Sequence, residues 1–310
     1  MRERILVPVD GSKSAHHALA YACAFARATL SELTLLHVVS SAPEIMSLPW
    51  STSHAATFRR HQDQRLSLIR GYLQASAEEL QAACVLAHTE VVEGDPASAI
   101  VSWVKKDPTI SMVVMSASGG GAGIGGVNGS VGHKVMRECP VPLMLVRSQE
   151  GGPPAAHLFR NILVPLDGSL AAEQALGHAQ RLAGITGATL QLLSVLPSLY
   201  LRFGAATFLP VRLDSVEVNQ NALDADLYEV QRYLWPVAAT LAASGLRVKS
   251  TVVRGEAAEE ILRQAAASGA DLIVMSMRRK TGLLRLLPGV ASKVVREGKL
   301  PVLLIPVGAG

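Results

Sequence analysis

Asp10 and Asp167 each end a run of the form Ile-Leu-Val-Pro-x-Asp-Gly-Ser, a strand pattern that breaks into a turn and then a helix. A short carboxylate at such a strand end can accept hydrogen bonds from a ribose hydroxyl. The same turn can instead serve only to start the helix, with Ser12 or Ser169 as N-cap. The second segment rich in chemistry runs from Ser116 to Ser130 and includes Gly119, Gly120, Gly121, Gly123 and Gly129. Glycines let backbone N–H groups come close to an anion, and the positive end of the following helix adds to the field. The loop therefore reads as a phosphate cradle with Ser130 supplying a hydroxyl, or, on composition alone, as a surface loop.

Sharper motifs fail. Gly121-x-Gly123-x-x-Gly126 fits the dinucleotide pattern formally, but it lies well before the helix and after the wrong strand. No G-x-x-x-x-G-K-[ST] occurs, and Lys134 reads as a solvated side chain rather than a phosphate ligand. His16 and His17 are adjacent on a helix and point in different directions, which prevents both from binding one metal. His54 and His61 read as surface residues, and His37 as core or sheet edge. There is no G-x-S-x-G elbow and no constellation that would activate a water or a nucleophile.

The elements that must position these residues occur twice. Ile5–Ser12 recurs as Ile162–Ser169, Val91–Asp95 as Val252–Glu256, and Val113–Ser116 as Ile273–Ser276, at offsets between 157 and 161. Gln149-Glu150-Gly151-Gly152-Pro153-Pro154 reads as the linker. The expected domains are therefore residues 1–149 and 158–310. Within the first, short Val/Ile/Leu-rich runs predict strands over 4–9, 33–39, 86–92, 110–116 and 141–147. Helices are expected over 12–28, about 56–84, 96–106 and 129–138. Phe58, Leu66, Ile69, Leu73, Leu80 and Cys84 share one face of the long helix. In the second half Pro236 is expected to kink or split the equivalent helix. Such alternation predicts, in each half, a doubly wound, mostly parallel five-stranded sheet with helices on both faces, a Rossmann-like α/β fold. Ligands bind such sheets at the carboxyl ends of the strands, near a topological switch point.

Composition supports this. The 310 residues are 49% hydrophobic and only 4% aromatic, the balance of parallel sheets buried on both faces. Mean hydropathy is +0.29. Yet the longest uncharged run, Pro108 to Gly132, carries eight glycines, and no other stretch offers about 20 apolar residues. Twenty-nine Lys and Arg against 25 Asp and Glu leave a net charge of +4, with no uniformly basic element to bind nucleic acid. Three scattered cysteines point to a reducing compartment. The strand that begins at residue 4 leaves no room for a secretion signal, so the cytoplasm is the expected location.

Taken together, these segments resemble the universal stress protein family. The resemblance rests on the Val-Pro-x-Asp-Gly-Ser opening, Gly94-Asp95-Pro96 after the third strand and the closing Pro-Val-Pro-Leu-Met-Leu-Val. It rests above all on a glycine signature, G-x-x-G, nine residues, then G-[ST], after a strand ending in Met. It covers essentially the whole chain as two tandem copies. The resemblance implies a stress-response regulator that binds ATP, with or without magnesium. Asp10 would touch adenosine, Val38 would line the adenine pocket, and Ser116, Gly119, Gly129, Ser130 and Val131 would hold phosphates. Ser116 stands where the signature has its first glycine. In the second half only Gly289 of that signature survives; Arg279 and Val290 replace a glycine and the hydroxyl residue, so the phosphate loop is degenerate. Arg278, Arg279, Lys280 and Arg285 read there as a solvated loop or as an anion attractor.

The resemblance also implies that the last strands, Val141–Val146 and Val302–Val307, pair the halves as a pseudo-dimer, with homodimerisation of the whole chain. No nucleic-acid or membrane partner is expected. The alternatives are a nucleotide-free interaction module and a slow ATPase.

Overall fold

In this computed structural model, residues 2–40, 52–117, 130–147, 159–197, 220–278 and 289–308 are described. The chain divides into two compact units, Met1–Leu158 and Phe159–Gly310. Each alternates strand and helix. The first comprises β1 (Arg4–Pro8), α1 (Lys13–Thr29), β2 (Glu32–Val39), α2 (Thr52–Ala82), β3 (Ala87–Glu93), α3 (Pro96–Lys106), β4 (Ile110–Ser116), α4 (Ser130–Glu138) and β5 (Leu143–Val146). The second comprises β6 (Asn161–Pro165), α5 (Leu170–Thr186), β7 (Thr189–Leu196), α6 (Gln220–Ala243), β8 (Arg247–Arg254), α7 (Ala257–Ala267), β9 (Leu272–Arg278), α8 (Val290–Glu297) and β10 (Val302–Val307).

Strand order within the first unit is β3-β2-β1-β4-β5, and within the second β8-β7-β6-β9-β10, with every pair parallel. The chain leaves β1 toward β2 on one side and leaves β4 toward β5 on the other. β1 and β4 are neighbours, with Ile5 opposite Met112 and Leu6 opposite Val113. The carboxyl ends of β1 and β4 thus flank a topological switch point, and those of β6 and β9 flank another.

The central strands are buried because their side chains are apolar on both faces: Ile5, Leu6, Val7, Val113 and Val114 are at most 1% exposed. Helix α1 starts where the Ser12 Oγ accepts from the Ala15 N–H at 3.1 Å. It lays Ala15, Ala18, Leu19, Ala22 and Ala26 on the sheet, small residues at helical spacing that let helix and sheet approach closely.

Two expectations need correction. Helix α2 ends at Ala82, and Cys84 is exposed in a left-handed conformation at φ 62°. The Val85 N–H reaches back to the Leu80 carbonyl at 2.9 Å and Val85 takes the buried place, so the helix closes before the apolar stripe would reach Cys84. Phe58 lies among residues whose side chains are not described. Helix α6 runs continuously through Pro236, so of the two alternatives, a kink or a split, the split is overturned. Leu234 before the proline and Leu241 after it are both buried, and that packing offsets the lost backbone hydrogen bond.

Candidate strand-end site

After β1 the Val9 N–H donates to the Leu36 carbonyl at 2.9 Å, and the chain then turns. Gly11 has φ +77° and its counterpart Gly168 φ +76°, a backbone that residues with a Cβ adopt only under strain. The Ser12 N–H donates to Asp10 Oδ1 at 2.9 Å, and the Ser169 N–H to Asp167 Oδ1 at 3.0 Å. Each strand-end aspartate therefore builds its own turn, and each stays exposed at the carboxyl end of a central strand. Val38, half-buried, lies opposite Val92 near the end of β2.

Across the switch point, Ser116 ends β4 opposite Val146, and the Ala117 N–H bonds the Val146 carbonyl at 2.7 Å. Helix α4 starts at Ser130, followed by half-buried Val131. A Cβ placed on Gly132 would lie 3.9 Å from the Ala117 carbonyl oxygen, so the first turn of α4 sits against the end of β4. Gly119 and Gly129 lie outside the described residues, as does the side chain of Ser130. In the second unit Gly289 is the N-cap of α8, and no side-chain hydrogen bond caps that helix. Arg278 ends β9, whereas Arg279, Lys280 and Arg285 lie outside the described residues.

Lys134, expected as a solvated side chain, is part-exposed but also paired. Its Nζ donates to Asp95 Oδ2 at 3.0 Å and to Ser98 Oγ at 2.7 Å. Asp95 is the N-cap of α3 and also accepts from the Ser98 N–H at 2.9 Å. These hydrogen bonds from Ser98, with Lys134 beside them, hold the Asp95 carboxyl down to about 2. The second unit repeats the clamp: Lys293 bonds Glu256 at 3.1 Å and Glu259 at 3.0 Å. In both, the lysine ties the last helix to the start of the one before it.

A cluster the sequence did not announce stands beside Asp10. The Tyr72 hydroxyl on α2 meets His16 Nε2 on α1 at 3.1 Å, with the rings edge to face at 5.8 Å. Burial pushes the Tyr72 phenol up, opposed by its hydrogen bond to Ser76 and reinforced by the charges of Asp10 and Glu79. Burial likewise lowers His37, although the Val9 backbone and the Asp10 carboxylate favour its charged form. His37 is only half-buried, so the expectation of a core or sheet-edge residue holds in part, but its neighbours are those of the strand-end crevice. The signal available beforehand was repetition: Tyr72 recurs as Tyr233 at the repeat offset of 161.

Among the described residues no three His, Cys, Asp or Glu side chains are placed to hold a metal, and no helix is long and apolar enough to cross a membrane. A groove of about 650 Å³ between α2 and β3 is lined by Arg70, Gln74 and Glu90, along the flank of the edge strand rather than at the strand ends.

The sequence pattern of the Universal stress protein family matches residues 1–147 and again residues 158–306. Universal stress protein MJ0577 of Methanocaldococcus jannaschii is 29% identical over 154 residues, 48% of this chain and 95% of the relative. Universal stress protein Rv2623 of Mycobacterium tuberculosis is 28% identical over 172 residues, 55% of this chain and 56% of the relative. A universal stress protein from Archaeoglobus fulgidus, known from its crystal structure, covers 98% of this chain and 96% of its own at a TM-score of 0.68 and 20% identity, a likeness of fold. Two matches in tandem, on units with the same strand order and the same strand-end turn, place the chain in the Universal stress protein family.

Proposed function

We propose that the chain is a regulatory nucleotide-binding protein of the stress response that holds ATP at the strand-end crevice of its first unit. The observation that carries this reading is the switch point between β1 and β4. It sets the exposed Asp10 on one side and the end of β4, with the first turn of α4 against it, on the other. A ribose would face Asp10, with the adenine toward Val38. The phosphates would lie toward Ser116, Gly119, Gly129, Ser130 and Val131, at the positive end of α4. The donor set fits the group: a carboxylate for hydroxyls, a half-buried valine for the base and a helix N-terminus for anions.

The second unit keeps Asp167 but has Val290 at the first position of α8, without a capping hydroxyl, and Arg279 in its loop. It is the weak or empty site in this reading. In this reading ATP is sensed rather than rapidly turned over. Titration calorimetry with ATP tests the reading. Saturable heat is expected from the unaltered chain, and its absence would sink the assignment.

A further inference from the structure

The two units lay a tyrosine of their long helix beside the aspartate that ends the first strand, but the partner of that tyrosine differs in kind. In the first unit Tyr72 pairs with His16 at 3.1 Å. In the second, Tyr233 donates its hydroxyl hydrogen to Glu173 Oε1 at 3.3 Å. His16 and Glu173 stand at the same position of equivalent helices, each four residues after the serine that caps it. The β2 position of His37 is occupied in β7 by Ser194. Thus the first crevice carries one strand-end carboxylate with two imidazoles near it. The second carries two carboxylates, Asp167 and Glu173, around one phenol. Burial, with Glu173 next and Asp167 behind it, pushes the Tyr233 phenol up to about 12, so it stays neutral and serves as a donor.

We propose that the partner of the tyrosine selects by charge: His16 on Tyr72 admits a nucleoside polyphosphate to the first crevice, and Glu173 on Tyr233 turns the same anion away from the second. This rests on the ATP reading above and adds to it a determinant on the first helix of each unit, independent of the glycine loop. An imidazole is neutral or positive and never repels a phosphate. A carboxylate beside an aspartate already present sets like charges against the ligand; His16 and Glu173 are both exposed, so the effect is modest and fades with added salt. The tyrosine hydrogen bond holds either partner on the side of the long helix, next to the strand-end aspartate.

Calorimetry on the full chain with two probes, ATP and uncharged adenosine, separates charge selection from damage to the pocket. His16→Glu is expected to weaken ATP about threefold to fivefold at low salt, through one added like charge at an exposed position. His16→Lys is expected to leave ATP as tight or tighter, and adenosine is expected to bind all three chains alike. His16 is exposed, so both variants should fold. The proposal is overturned if the two variants shift ATP affinity equally, or if adenosine binding falls in step with ATP. Absence of ATP heat from the unaltered chain overturns this proposal together with the reading it rests on. Normal ATP binding in His16→Glu overturns this proposal alone.

Discussion

Asp95 shows how one side chain serves two ends of the structure. Its carboxylate caps α3 and receives Lys134 from α4, so its removal loses a cap and leaves the lysine without its carboxylate. Asp95→Ala should destabilise the first unit by about 0.5–2 kcal/mol, the usual range for a lost N-cap. The ion pair itself, largely exposed, adds little to that. Because the carboxyl is held to about 2 in the folded chain, below its unfolded value, its contribution is complete above the ordinary carboxylate range. It fades as pH falls from there toward 2. Urea midpoints of the unaltered chain and Asp95→Ala, compared at pH 7 and near pH 2.5, should lie closer together at the lower pH. A constant gap would show that the charge does not contribute. The sequence displayed Asp95 as part of Gly-Asp-Pro but gave no sign of Lys134, since the two are 39 residues apart and meet only when α4 packs on α3.

At the scale of elements, α2 tests how far periodicity reads burial. Leu73 is 1% exposed against the sheet, whereas Leu68 on the same helix is 76% exposed. Leu73→Ala should cost about 2–5 kcal/mol through lost burial and the cavity left behind. Leu68→Ala should stay within about 0.5 kcal/mol, as exposed substitutions do. Thermal unfolding of the first unit's transition measures both, and equal effects would mean that α2 is packed differently. The apolar spacing identified Leu73 and Leu80 correctly because a helix repeats every 3.6 residues. It misassigned Cys84 because a left-handed closing turn obeys no such period. The strand-end turns were legible for a local reason, since carboxylate, glycine and serine are consecutive in sequence. The Tyr72–His16 pair was not, because its partners are 56 residues apart.

At the scale of the whole molecule, duplication was the plainest feature of the sequence, and the two units repeat one strand order.

The central claim is that one of the two units binds ATP, and stoichiometry measures it most directly. Titration calorimetry should give about one ATP per chain, with binding weakened severely by Gly129→Val and hardly changed by Gly289→Val. Two equal sites per chain, or loss of binding through Gly289→Val alone, would contradict the assignment.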